Sequence, residues 1–203
     1  MTATQETKTK LTFRQFIDQL PDDEGYYELV EGEIVRRVPT RRHDDIADLL
    51  TDIFQSEVKE KNHNYRVSGR IVIQTTKEDG TEQGRHPDIT VVDRDIWEAY
   101  PTSYSVLLEP PQMVVEVVST NWEDDYVDKL EEYQRLKIPE YWIVDYLAVA
   151  SRSYLGNPKQ PTIFVYCLDE NGLYKTNAYR ESDRLISPTF PELQTTVSDI
   201  FKS

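Results

Sequence analysis

The run Met113-Val114-Val115-Glu116-Val117-Val118 limits what this chain can fold into more than any other stretch. Pro110-Pro111 precede it and Ser119-Thr120-Asn121 follow, so its length, valine content and turn boundaries are those of a strand buried on both faces. An ionised carboxylate inside such a strand costs several kcal/mol, on the order of its desolvation, unless a metal ion, a cation or hydrogen-bond donors meet it. The fold must therefore bring a partner to Glu116.

The remaining pattern predicts what surrounds that strand. Thr12 caps a short helix running to Leu20, with Phe13, Phe16, Ile17 and Leu20 on one face, and Pro21 to Gly25 stops it. Tyr26 to Val30 and Glu33 to Val38 read as a hairpin around Glu31-Gly32, with Glu28 in mid-strand facing solvent. From Asp44 or Asp45 to Glu60, Ile46, Leu49, Leu50, Ile53, Phe54 and Val58 recur with helical period. Arg66 to Thr75 then reads as one strand, Thr76 to His86 as a polar loop, and Pro87 to Asp93 as a strand with Asp88 at its entrance. Arg94 to Pro111 reads as a short helical piece and loop. Beyond the Glu116 strand follow a helix from Asp124 to Lys137 and a strand from Tyr141 to Asp145. Hairpin strands Thr162–Leu168 and Leu173–Arg180 come next, and Ser198–Phe201 forms a closing turn.

This order predicts an α/β fold with a mixed central sheet flanked by helices and β-hairpins added at both ends. The Glu116 strand, its helix and the Tyr141 strand form a crossover unit. Residues 1–10 read as a polar, disordered tail and residues 11–203 as one domain, which suits 203 residues.

Charge narrows the function. With 23 basic and 37 acidic residues the net charge is −14, which excludes a protein that coats nucleic acid through a general positive field. Any nucleic-acid site is a local one. The stretch from Arg36 to Arg42 carries four arginines and no acid, and either touches phosphates or balances nearby carboxylates. Cys167 is the one cysteine, which excludes a disulfide framework and a multi-cysteine metal site, so it packs. Neither a signal peptide nor a run of about eighteen apolar residues is present, and the expectation is a soluble, cytoplasmic protein.

Asp88 opens one strand, Glu116 lies inside the next, and Lys129 is on the helix after it. If the strands are neighbours, the two carboxylates converge and a hard divalent cation satisfies both. Lys129 then orients a water and offsets charge on a phosphate. Plainer readings stand beside these. Asp88 closes a loop, Glu116 pairs with a basic side chain, and Lys129 makes a solvated pair with Asp125 four residues earlier. Glu28 and His43 are accessory candidates, His43 alternatively an incidental group near a helix start. Three scattered histidines make no zinc site, and no glycine-rich phosphate loop or nucleophile elbow is present.

Four segments in order carry a resemblance. They are Pro87-Asp88, Pro110-Pro111-Gln112-Met113-Val114-Val115-Glu116-Val117-Val118-Ser119, Asp128-Lys129-Leu130-Glu131-Glu132-Tyr133, and Ile138-Pro139-Glu140-Tyr141-Trp142-Ile143-Val144-Asp145. Together with the Tyr27–Ile34 hairpin and segments 158–162 and 187–193, this set resembles the Uma-type endonuclease family of the restriction-endonuclease-like PD-(D/E)XK superfamily. The resemblance implies an αβββαβ core and a Mg²⁺-type metal, with Mn²⁺ as substitute, at Asp88, Glu116 and the backbone carbonyl of Val117. It also implies phosphodiester cleavage in DNA. Val118 stands where the superfamily motif has lysine, and the family pattern offers Lys129 as the spatial replacement.

The leading expectation is thus a metal-dependent DNA endonuclease with Asp88, Glu116, Lys129, Glu28 and His43 at its site. A nuclease-fold binding or scaffolding protein without turnover and a metal-dependent hydrolase of small phosphoesters are the alternatives. DNA is the expected partner, and a homodimer would suit two cuts in a duplex.

Overall fold

The structure, a computed structural model, describes residues 10–202 apart from Glu24 and Thr102. All of the expected N-terminal tail except Lys10 lies outside those residues. Helix α1 (Phe13–Asp18) opens on a capping box in which the Thr12 hydroxyl accepts from Gln15 N and the Gln15 side chain accepts from Thr12 N. It ends before Leu20, because Gln19 and Leu20 turn back onto Phe16 and Ile17 with tighter bonds. Strands β1 (Tyr26–Val30) and β2 (Glu33–Arg37) form the expected hairpin, with φ of 53° at Glu31 and 82° at Gly32.

Helix α2 (Arg41–Lys61) begins earlier than its apolar period suggests. The Thr40 hydroxyl accepts from His43 N, so Arg41, Arg42 and His43 form its first turn.

The expected single strand over Arg66–Thr75 is two strands in different sheets, β3 (Tyr65–Ser68) and β4 (Val72–Thr76). The chain changes sheet at Gly69, where the backbones pass so closely that a Cβ would stand 2.6 Å from the Asp88 carbonyl oxygen. The expected polar loop contains strand β5 (Glu82–Arg85), whose Gln83, Gly84 and Arg85 are buried. It has no apolar alternation to betray it. Instead Phe16 packs on Gly84, Arg85 is paired in the interior, and Glu31 N donates to Gln83 Oε1.

Next come β6 (Ile89–Asp93), α3 (Arg94–Glu98), the two-residue β7 (Val106–Leu107) and β8 (Met113–Val117). A π-helical turn over Asp124–Asp128 leads directly into α4 (Lys129–Leu136), which closes at Lys137 with φ 64°. The chain finishes through β9 (Glu140–Asp145), α5 (Arg152–Leu155), β10 (Thr162–Leu168), β11 (Tyr174–Tyr179) and α6 (Val197–Phe201).

One sheet has the order β11-β10-β9-β8-β6-β3 and the other β2-β1-β5-β4-β7. Strands β8 and β9 run parallel, joined through α4, while β6 and β8 are antiparallel. In sequence α2, β3, β6, β8, α4 and β9 make the αβββαβ order, with hairpins at either end as expected. The second sheet was not foreseen. Strand β8 is buried on both faces: Met113, Val115 and Val117 pack with Ile46, Leu50 and Phe54 of α2, and Val114 and Val118 with Tyr133 of α4 and Tyr126. Each buried valine contributes about 1.5–3 kcal/mol. Among the described residues no helix is long and apolar enough to cross a membrane.

Candidate metal and active site

The pleat of β8 sends Glu116 to the same side as Val114 and Val118, toward α4. The π-helical turn, closed by Lys129 N donating to Asp124 O, leads Asp125 into α4 so that Asp125, Lys129 and Tyr133 follow one another at four-residue spacing on the face that meets Glu116. Lys129 Nζ lies 2.8 Å from Glu116 Oε2, 3.0 Å from Asp125 Oδ1 and 3.7 Å from Glu28 Oε1. The Tyr133 hydroxyl donates to the other Glu116 oxygen at 2.6 Å. Both oxygens of the buried acid are met from one helix.

Antiparallel pairing of Ile89 with Val115 sets Asp88 across from Glu116. Val117 N donates to Asp88 Oδ2 at 2.6 Å, and His43 Nε2 stands 3.1 Å from the same oxygen. Glu28 enters from β1, with Arg37 2.6 Å and Arg85 3.8 Å from its Oε2, and His86 N donates to its Oε1 at 3.3 Å. Arg85 is held in turn by Glu132, which also accepts from Thr75.

Burial pushes the Glu116 carboxyl up, to about 8; Asp88, Asp125 and Glu28 add to the rise, against the pull of Lys129. Burial raises Asp125 as well, against the ion pair with Lys129. Burial alone would lower Lys129, but Asp125, Glu116 and Glu28 hold it well above the usual lysine range. Burial would likewise raise Glu28, yet Lys129, Arg85 and Arg37 hold it at about 2. Burial lowers His43, and its hydrogen bond and charge contact with Asp88 outweigh that and raise it.

Several expectations change here. Glu28 does not face solvent; it is 1% exposed. The Asp125–Lys129 pair exists, but it is buried and shared with Glu116. His43 is no bystander, since its ring reaches Asp88. The arginine stretch divides: Arg37 bridges Glu28 and Asp124, Arg42 donates to the Phe201 carbonyl, and Arg36 lies 5.9 Å from the Tyr27 ring centroid. Sequence reasoning named Asp125 only as a solvated partner of Lys129 and did not single out Tyr133 or Arg85. The same four-residue spacing, carried on from Lys129 to Tyr133, was the available signal for Tyr133.

Among the described residues no group of three or more histidine, cysteine, aspartate or glutamate side chains is arranged to hold a metal ion. Two carboxylates with a backbone carbonyl and waters are nonetheless an oxygen set that Mg²⁺ accepts. Asp88, Glu116 and Glu28 line one cleft and offer only hard oxygen donors, so the donor chemistry fits a divalent cation. A cleft of about 600 Å³ lined by Glu28, His43, Asp88, Glu116, Val117 and Lys129 opens this centre to the outside.

Residues 13–198 match the family model Uma2, described as a putative restriction endonuclease. A similar solved structure is that of a putative nuclease belonging to DUF820 from Anabaena variabilis ATCC 29413. It has a TM-score of 0.67 and 22% identity over 95% of this chain and 98% of that one, so the likeness concerns the fold. No curated protein matches the chain. With nearly its whole described length inside the family match, the chain belongs to the Uma2 family of restriction-endonuclease-like proteins.

Proposed function

We propose that this protein is a Mg²⁺-dependent endonuclease that hydrolyses phosphodiester bonds in DNA. One observation carries the reading: Asp88, just before β6, and Glu116 of the neighbouring β8 line one cleft, and Lys129 Nζ stands 2.8 Å from Glu116. Family membership supports it.

Asp88, Glu116 and the carbonyl of Val117 would hold the ion. When bound, it supplies Lewis acidity and lowers the pKa of a water. Lys129 supplies the fixed positive charge that the Val118 position lacks, orienting the attacking water and offsetting charge on the phosphate. Tyr133 and Lys129 keep the Glu116 carboxylate in one orientation, and His43 does the same for Asp88 by donating from Nε2 to its Oδ2. Glu28 holds Arg37 beside the cleft and adds to the field that keeps Lys129 charged.

The test is calorimetric titration of Mg²⁺ and Mn²⁺ into the wild type, Asp88→Ala and Glu116→Ala, beside cleavage of plasmid, oligonucleotide and small phosphoester substrates. Expected are saturable binding lost in both folded variants and ion-dependent cleavage of DNA. Equal DNA cleavage by wild type and Glu116→Ala would sink the assignment.

A further inference from the structure

An acidic centre in a chain that carries −14 repels phosphodiesters, so a bound strand needs cations placed beyond the cleft. The α2 wall of the cleft itself carries Asp44 and Asp48. Farther along, the same helix and the edge strand β3 border a second cavity of about 580 Å³. Its α2 wall includes Gln55, Lys59 and Asn62, which continue at three- and four-residue spacing the flank that gives Asp48 and Thr51 to the cleft. Its other wall is Tyr65 to Val67 of β3, and the chain then passes through Gly69 into the cleft.

Three cations, Lys59, Arg66 and Arg94, line the second cavity, and no carboxylate does. Arg94 is engaged: it donates to the Tyr65 carbonyl at 3.2 Å and stands 3.5 Å from Glu98. Lys59 and Arg66 are exposed, and neither is paired with a carboxylate among the described residues. The Arg66 guanidinium lies 4.8 Å from the centroid of the Trp97 ring, which restrains it without neutralising it. His63, in the same wall, keeps a buried Nε2 that meets no partner among the described residues, a hydrogen-bonding group that a ligand could satisfy. Arg66 pairs with Val92 of β6, four positions past Asp88, so the cavity lies about 13 Å along the sheet from the centre. Roughly four phosphates of one duplex strand, about 3.4 Å apart along the axis, cover that distance.

We propose that Lys59 and Arg66 seat a backbone phosphate of the nucleic-acid strand in this second cavity, about four nucleotides from the phosphodiester at Asp88 and Glu116. The groove between α2 and β3 is then the path of the strand. The proposal rests on the nuclease reading for where the strand meets the cleft, and it requires binding rather than turnover.

Anisotropy of a labelled, phosphorothioate-linked DNA duplex, measured across a salt series in Mg²⁺, tests it with wild type, Lys59→Ala, Arg66→Ala, Arg66→Lys and the variant carrying both alanine changes. Lys175→Ala is the control, a change to an exposed cation on β11 at the opposite edge of the same sheet. Each alanine change is expected to weaken binding about tenfold and to reduce the slope of log affinity against log salt by about one, and both together by about two. Arg66→Lys keeps the slope, and Lys175→Ala binds as the wild type. If the doubly changed variant matches the wild type in affinity and slope, or if Lys175→Ala loses as much as either single change, the proposal is overturned; cleavage of unmodified DNA by the wild type then keeps the nuclease reading. The expected losses in a wild type that cuts no DNA would keep the phosphate seat and sink the nuclease. Absence of DNA binding by the wild type overturns both.

Discussion

Tyr133 donates its hydroxyl hydrogen to Glu116 Oε1 at 2.6 Å from a ring with no solvent exposure, four residues beyond the Lys129 that meets the other oxygen. A single helix face thus answers the demand that a carboxylate in a buried strand makes. Tyr133→Phe leaves Oε1 without its donor while keeping the packing. Metal affinity is expected to fall about 10–100-fold, as for other groups that orient a ligand, with about 1–2 kcal/mol of stability lost. Calorimetric titration and a thermal melt check both; unchanged Mg²⁺ affinity would show that Tyr133 only packs.

Lys129 Nζ lies within 4 Å of three buried acids, Glu116, Asp125 and Glu28. Removing one partner of a buried charged cluster costs about 3–5 kcal/mol, so Lys129→Met is expected to melt earlier in urea. Its cleavage rate is expected to fall on the order of 10²–10³-fold, as when a fixed electrostatic donor is lost. Adding Glu116→Gln to Lys129→Met should recover part of the stability and none of the activity. Recovery of both would overturn the roles given to Lys129 and Glu116 alike.

Glu28 predicts an acid limb in the stability profile. Its carboxyl, ordinarily near 4.5, is held at about 2 against burial by Lys129, Arg85 and Arg37. Between those values the unfolded chain binds more protons than the folded one, so the contribution is complete above 4.5 and is lost as pH falls toward 2. The shift corresponds to about 3 kcal/mol. Glu28→Gln should flatten the decline in urea-unfolding free energy across that window. Glu116, raised to about 8, has the opposite sign: it favours the folded state below 4.5 and loses that contribution as pH rises through about 8.

At Gly69 the prediction is steric. A Cβ there would stand 2.6 Å from the Asp88 carbonyl, and neither backbone can retreat without disturbing a sheet. Gly69→Ala is expected to cost about 1–3 kcal/mol by overpacking and to weaken Mg²⁺ binding by shifting Asp88. A variant with unchanged melting and unchanged Mg²⁺ affinity would contradict this close approach.

The sequence by itself determined the elements with a strong local signature. The buried Glu116 strand, the long helix after Thr40, the Glu31-Gly32 hairpin and the helix carrying Lys129 follow from apolar period, capping residues and turn residues, which act within a few positions of each other. The unexplained acid in an apolar run also announced that a partner must exist.

Tertiary structure alone decided which partner. Glu28 looked like a solvent-facing residue because alternation in one strand cannot tell which side a second sheet will cover. Strand β5 looked like a loop because its buried residues are Gln83, Gly84 and Arg85, whose burial depends on Phe16, Glu31 and Glu132 far away in the chain. The split at Gly69 was hidden for the same reason: the cause is a contact with Asp88, not a feature of residues 65–76. Local sequence sets backbone preference, whereas the fate of a buried charge depends on which distant groups the packed elements bring within about 4 Å: the cations around Glu28 outweigh its desolvation, and at Glu116 desolvation prevails over Lys129.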